Sequence, residues 1–139
     1  MYTHLLRRFV ISSALLVIGF PLAAQSCTGV DQNLTPERRA LYGPLTAERA
    51  GGDSIGKPVN VQSFMSMGDW VAVFATPTSA ERGVFFFQIV NGKPVAKDVW
   101  GGVSDGLPAS KIADWTKQVD PKIPRALSMC FARAVVAGR

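Results

Sequence analysis

Residues 83–100, GVFFFQIVNGKPVAKDVW, decide the fold of this 139-residue chain. The stretch joins two apolar segments through Asn91-Gly92. An Asn-Gly pair in that position is the strongest short-range signal for a β-hairpin, because both turn residues must accept a positive φ. Residues 84–87 are apolar without a break, which is typical of a central strand covered by helix on at least one face. The sequence therefore predicts strands over residues 83–90 and 95–100.

Two more strands are predicted upstream of this hairpin. Val59, Val61 and Met65 alternate with polar residues, which is the spacing of a half-buried strand. After a turn at Gly68-Asp69, residues 70–76 form a nearly continuous apolar strand. With the hairpin, these segments predict a four-stranded antiparallel meander.

Helices are predicted on both sides of the meander in the sequence. Thr35 is a candidate N-cap with Pro36 at the first helical position, and Gly43-Pro44 is expected to break or kink this first helix before Ala50. After Gly101-Gly102 ends the sheet, Ser110 is the candidate cap of a second helix. The inward face of that helix carries Ile112, Trp115 and Val119.

Pro124 opens a last predicted helix with an apolar stripe at helical spacing. The stripe consists of Ile123, Leu127, Cys130, Phe131, Ala134 and Val135. The predicted fold class is therefore α+β: an N-terminal helix, a four-stranded antiparallel meander, and C-terminal helices packed on one sheet face.

The first 26 residues have the layout of a secretory signal peptide. Arg7-Arg8 supply a positive start, residues 9–24 are apolar or small, and residues 24–26 offer a small-x-small cleavage site. This apolar run is shorter than the roughly 20 residues that a membrane-spanning helix needs. We expect residues 1–26 to be removed on export to the periplasm or the exterior, and residues 27–139 to form a single domain without a stable membrane span.

Cys27 and Cys130 are the two cysteines of the chain. An even number of cysteines in an exported protein favours a disulfide. A disulfide between these two cysteines would close most of the domain into one loop. Two alternatives stay open at this point. Cys27 follows the apolar run and could carry a lipid anchor, although Ala24 stands where such processing usually wants Leu. Both thiols could also be free.

The residue types restrict the chemistry. The single histidine, His4, lies in the predicted signal peptide, so the exported chain has no histidine for a Ser-His-Asp or Cys-His arrangement or for a zinc site. We predict no enzymatic activity and no catalytic, cofactor-binding or metal-binding residues. A carboxylate-based hydrolase remains the exception, and its candidates are Asp69, Asp98, Asp105 and Asp114. We expect Asp69, Asp98 and Asp105 to be largely exposed and Asp114 to lie on the polar side of its helix.

The basic residues do not form a nucleic-acid footprint. The chain has a formal net charge of +5. In residues 27–139, however, no basic run is longer than Arg38-Arg39, whereas nucleic-acid binding needs a clustered stripe. Gly101 to Gly106 lacks the Gly-Lys-Ser/Thr ending of a phosphate-binding loop and is interpreted as a plain loop.

Several short motifs resemble small exported bacterial proteins of uncharacterised function. They are Pro36-Glu37-Arg38, Pro58-Val59, Gly68-Asp69-Trp70-Val71-Ala72 and Trp100-Gly101-Gly102. The helix-then-sheet layout of those proteins is similar to cystatin-like and NTF2-like folds, and the match covers about Leu34 to Cys130. The resemblance implies the same layout here and brings no catalytic or binding residues with it.

Two functions without catalysis are compatible with these features. The first is a periplasmic module that binds another envelope protein, as an inhibitor or an immunity-type protein does. The second is a carrier or sensor of a small apolar ligand, held in an apolar cavity between a helix and the strand with Phe85, Phe86 and Phe87. Trp70, Trp100 and Trp115 are the candidate binding residues. Exposed tryptophans on one surface would favour a protein interface, tryptophans lining a cavity would favour a ligand, and buried tryptophans would favour neither.

Overall fold

The computed structural model describes residues 27–138. Their elements in order are α1 (Pro36–Ala50), a 3-10 turn (Gly52–Ser54), β1 (Val59–Met67), β2 (Trp70–Pro77), β3 (Gly83–Val90), β4 (Lys93–Trp100), α2 (Ala109–Val119) and α3 (Arg125–Val136). The strands form one antiparallel sheet in the order β1-β2-β3-β4, so the predicted α+β class and meander are confirmed. The predicted signal peptide lies outside the described residues.

The β3–β4 hairpin turns where the sequence predicts. Asn91 and Gly92 have φ values of 49° and 74°, and Val90 pairs with Lys93 across the turn. Positive φ at both central residues is the requirement of the tight turn that matches the twist of two strands. The pairing starts at Lys93, so β4 is two residues longer at its start than predicted.

The sheet is covered by helices on both faces. On one face, α2 and α3 bury Phe86 and Phe131, whose ring centroids lie 5.0 Å apart. On the other face, Tyr42 of α1 packs on Phe64 and Phe87 at centroid distances of 5.6 and 5.2 Å. The double cover explains why β3 is apolar at successive positions.

The predicted break of the first helix at Gly43-Pro44 is wrong. Helix α1 continues through Pro44 to Ala50. Pro44 and Ala40 are both exposed, so the carbonyl that loses its N–H donor faces water rather than the core. Gly43 is buried against the sheet, and a Cβ there would lie 3.9 Å from Val61 of β1, an ordinary van der Waals contact.

The helix caps agree only in part with the predictions. At the start of α1, the Arg38 N–H donates to Thr35 Oγ1 at 3.2 Å, which confirms Thr35 as the N-cap. Ser110 is not the cap of α2: Pro108 occupies that position in an extended conformation, and Ser110 lies inside the first turn. Helices α2 and α3 are linked by a buried hydrogen bond of 2.6 Å between the hydroxyls of Thr116 and Ser128.

The two cysteines lie at disulfide-bonding distance. The sulfurs of Cys27 and Cys130 are 2.00 Å apart and their Cα atoms 4.9 Å apart, although 103 positions separate them in sequence. Cys130 lies on the buried side of α3, as its position in the apolar stripe predicts. Just after Cys27, Asp31 forms a β-bridge with Ser66 of β1, so the start of the described chain is held at two points.

Within residues 27–138, no helix has the length and apolar content that crossing a membrane requires.

Candidate functional site

Two of the three candidate tryptophans pack against each other. Trp100 ends β4 and Trp115 lies in the middle of α2, and their ring centroids are 5.3 Å apart in an edge-to-face arrangement. Both rings rest on Phe131, at 6.4 and 6.2 Å. Both tryptophans remain partly exposed, whereas the Phe131 ring beneath them is buried.

The loop that joins β4 to α2 completes this surface. The Trp100 indole N–H donates to the carbonyl of Val103 at 3.0 Å, which fixes the ring against the loop. The same loop exposes two large apolar side chains, Val103 at 59% and Leu107 at 43%. We call Trp100, Val103, Leu107 and Trp115 the aromatic patch.

A glycine holds the loop in this position. Gly102 is buried and has a φ of 81°. A Cβ at Gly102 would overlap the carbonyl of Arg82, and the Arg82 guanidinium donates to the carbonyl of Gly102 at 3.5 Å. The loop therefore passes so close to the segment before β3 that only a glycine fits there.

Trp70 does not belong to this surface. It is 3% exposed and lies in the same core cluster as Met65 and Cys130. As the first residue of β2 it faces inward beneath the C-terminal helices, so the prediction that it lies on a binding surface is wrong. Its large ring contributes to the core.

The candidate acids are dispersed over different elements. Asp98 lies 3.7 Å from Arg49, whereas Asp114 lies 3.3 Å from Lys117 and 2.9 Å from Arg125. Asp69 and Asp105 are exposed in turns, as expected.

The charges around Asp114 explain its acidity. The Lys117 ammonium, followed by the Arg125 guanidinium, holds the pKa of the Asp114 carboxyl below its usual value. A lowered pKa suits an ion-paired surface carboxylate rather than a general acid, which needs a raised one. In residues 27–138, no three His, Cys, Asp or Glu side chains gather into a group that could hold a metal ion.

An open groove of about 410 Å³ lies between α1 and the loop before β1. It is lined by Pro44, Ala47, Glu48, Ile55, Gly56, Lys57 and Pro58. We expected a concavity beside the Phe-rich strand, but this groove lies elsewhere. Phe85, Phe86 and Phe87 are at most 3% exposed and pack in the two cores, so they fill space rather than line it.

Sequence reasoning located the tryptophans but missed the loop residues beside them. Val103 and Leu107 stand out only as apolar residues in a Gly-rich connection, and no periodicity marks them. Comparison with models of known protein families found no match, and comparisons with curated proteins and with solved structures found none either. The geometry of the aromatic patch is therefore the basis for a functional interpretation.

Proposed function

We propose that this chain is an exported, non-enzymatic module that binds a protein partner of the cell envelope through the aromatic patch. The observation that carries the proposal is the partly exposed Trp100–Trp115 pair, with Val103 bonded to Trp100 and Leu107 exposed in the same loop. Tryptophan is strongly enriched among the residues that dominate binding energy, and such anchors sit where neighbouring apolar groups exclude water.

The rigidity of the patch supports this proposal. Trp100 is fixed by its hydrogen bond to Val103, and Trp115 is held in a helix that packs on the core. A surface that is already ordered loses little conformational freedom on binding. The alternative, a carrier of a small apolar ligand, has less support because the Phe-rich strand is packed by both helix layers.

The cysteine pair supports export as part of the proposal. Disulfides form and persist in oxidising compartments such as the periplasm. A sulfur at bonding distance from Cys130 is not also free to form the thioether of a lipid anchor, so the pairing favours cleavage of residues 1–26 over lipidation of Cys27.

Intact mass spectrometry of the protein isolated from the envelope tests export. We expect loss of the first 24 to 26 residues, and a mass two hydrogens below that of the reduced chain. A species that retains Met1, or one that carries diacylglycerol on Cys27, would overturn the proposed processing.

Capture with matched surface variants tests the binding role. The full chain, tagged at its C terminus and recovered after export, is compared with a Val103→Asp/Leu107→Asp variant and a Leu41→Asp/Ile55→Asp control. The control residues are equally exposed, at 49% and 60%, but lie on the opposite side of the sheet or in the loop before β1. We expect the same envelope protein with the wild type and the control, and its loss with the patch variant. Equal capture by all three would contradict the proposal.

A further inference from the structure

Residues 27–31 lie as a strap along the outer edge of β1. Asp31 and Ser66 exchange both backbone hydrogen bonds, at 2.9 and 2.8 Å, as a directly opposed pair in an antiparallel sheet does. The Val30 N–H donates to the carbonyl of Cys27 at 3.0 Å, which closes a turn just before this bridge. A terminal segment this short stays ordered only where contacts tie it down. We call residues 27–31 the N-terminal strap.

The N-terminal strap also closes part of the core. Val30 is 9% exposed and belongs to the buried cluster that contains Met65 and Trp70. Its neighbours Gly29 and Asp31 are exposed, so the strap turns one apolar side chain inward. Release of the strap would therefore uncover the end of the β1 edge together with the apolar surface beneath Val30.

The covalent bond is the strongest of the contacts that hold the N-terminal strap. The Asp31–Arg38 ion pair is 2.6 Å long, but its side chains are 46% and 31% exposed, and ion pairs exposed to water contribute little. Against this pair and the two backbone hydrogen bonds stands the conformational entropy lost at each ordered residue of the strap. The bond between Cys27 and Cys130 of α3 therefore decides whether the strap stays on the sheet.

Helices α1 and α3 have contacts of their own that hold them on the sheet. Tyr42 of α1 packs on Phe87 at a centroid distance of 5.2 Å, and Phe131 of α3 packs on Phe86 at 5.0 Å. All four side chains are at most 4% exposed. Neither contact includes the N-terminal strap, so we expect both helices to stay in place when the strap is released.

The bond is accessible to a dithiol from its Cys27 side, because Cys27 is partly exposed whereas Cys130 is 1% exposed. A thiolate of the dithiol attacks the Cys27 sulfur and forms a mixed disulfide, while the Cys130 sulfur leaves and takes up a proton. The second thiol of the dithiol then displaces Cys27, which is also protonated. Two electrons and two protons have then passed to the cysteine pair, and the dithiol has become a disulfide.

We propose that the Cys27–Cys130 bond is a redox-sensitive clasp that holds the N-terminal strap on the β1 edge. When a dithiol reduces the bond, the strap leaves the sheet while the rest of the domain stays folded. An uncovered edge strand is a template for pairing with another chain, so reoxidation restores the protection of this edge. The inference does not rest on the binding function proposed above, because none of the strap contacts named here involves the aromatic patch.

Amide hydrogen exchange, followed residue by residue by NMR, tests the clasp. The protein purified without reductant is compared with the same protein in excess dithiothreitol and with a Cys27→Ala/Cys130→Ala variant. We expect the amides of Val30, Asp31 and Ser66 to exchange about tenfold or more faster in the reduced and variant proteins, because their hydrogen bonds open with the strap. The amides of β2 and β3 should still exchange about a hundredfold or more slowly than in an unfolded chain.

Four other outcomes would overturn the clasp. If the strap amides exchange equally slowly after reduction, the bond does not hold the strap in place. If β2 and β3 lose their protection together with the strap, the bond stabilises the whole fold instead of one edge. Two free thiols in the protein before dithiothreitol is added would remove the clasp altogether. A variant whose strap amides respond to dithiothreitol would trace the effect to the reductant and not to the bond.

Discussion

Gly102 is the residue on which the exposed part of the aromatic patch depends. Its positive φ and its contact with the Arg82 carbonyl leave no room for a side chain. The sequence indicates only that Gly101-Gly102 ends the sheet. The difference between the two glycines comes from a contact with a segment some 20 residues earlier, and local sequence patterns do not register such contacts.

We predict that Gly102→Ala destabilises the fold by about 2 kcal/mol or more, because a strained backbone alone costs about 1–3 kcal/mol and the overlap adds to it. The change should also alter tryptophan emission, since Trp100 is held by the adjacent Val103. Urea unfolding followed by fluorescence measures both effects. Gly101→Ala is the matched control: a Cβ there meets nothing within 4 Å, so equal destabilisation by both variants would refute this role of Gly102.

Asp31 makes the N-terminal segment sensitive to acid. The Arg38 guanidinium donates to its Oδ2 at 2.6 Å, and this bond, with the Asn33 N–H, lowers the pKa of the Asp31 carboxyl. Because the folded-state pKa lies below the unfolded value, the ionised carboxylate stabilises the fold above the unfolded pKa. That contribution is lost as the pH falls through the folded pKa.

We therefore predict that the Tm falls as the pH is lowered below about 4, and that Asp31→Asn makes this fall less steep. Thermal unfolding between about pH 6 and pH 2.5 provides the measurement. Asp53→Asn is the control, because Asp53 is exposed and forms no ion pair within the described chain. The same slope for the wild type and Asp31→Asn would show that the Arg38 contact does not couple folding to protons.

At the scale of elements, the local sequence predicts a turn or a helix cap correctly where neighbouring residues alone form it. The Asn91-Gly92 hairpin and the Thr35 cap are of this kind, and both were predicted correctly. Pro44 shows the opposite case. Its helix survives because Tyr42, Gly43 and Ala47 bury one side against the sheet while the proline faces water, and this tertiary packing outweighs a local preference.

The cap at Thr35 gives a prediction for α1. Thr35→Ala removes the acceptor of the Arg38 N–H and should cost about 1 kcal/mol of unfolding free energy. Thr35→Ser retains a hydroxyl oxygen and should restore most of the loss. Urea unfolding of the three proteins measures this, and an alanine variant as stable as the wild type would mean that water replaces the cap without cost.

The candidate site likewise depends on tertiary packing that local sequence patterns do not register. Tryptophans are conspicuous in any sequence, but the burial of Trp70 and the meeting of Trp100 with Trp115 depend on how α2 lies across the sheet. The predicted strand over residues 95–100 omitted Lys93 and Pro94, which pair with Val90 and Ile89. Strand ends are poorly marked in sequence, so the start of β4 could not be assigned to the residue.

At the scale of the whole molecule, the cysteine pair ties the start of the described chain to its last helix. Because 103 positions separate the two cysteines, the bond restricts nearly the entire unfolded domain. We predict that reduction lowers the unfolding free energy by about 2–4 kcal/mol, somewhat less than the chain-entropy model allows for so long a loop. Urea unfolding with and without reductant measures the change. A Cys27→Ala/Cys130→Ala variant should be insensitive to reductant, and a wild type equally insensitive would argue against the bond.

The arrangement of the two helix layers leaves the Trp100–Trp115 pair partly exposed between the end of β4 and α2. Helix α1 covers the opposite face of the sheet. The proposed partner-binding surface therefore consists of the side chains around Trp100 and Trp115.

Acrylamide quenching of tryptophan emission, with and without the captured envelope partner, tests this central claim most directly. Trp70 is 3% exposed and contributes little to quenching in either state, so the signal reports Trp100 and Trp115. We predict that the partner reduces quenching of the wild type, and that the Val103→Asp/Leu107→Asp variant is quenched equally with and without it. Quenching of the wild type that does not change when the partner binds would contradict the assignment of the aromatic patch as the interface.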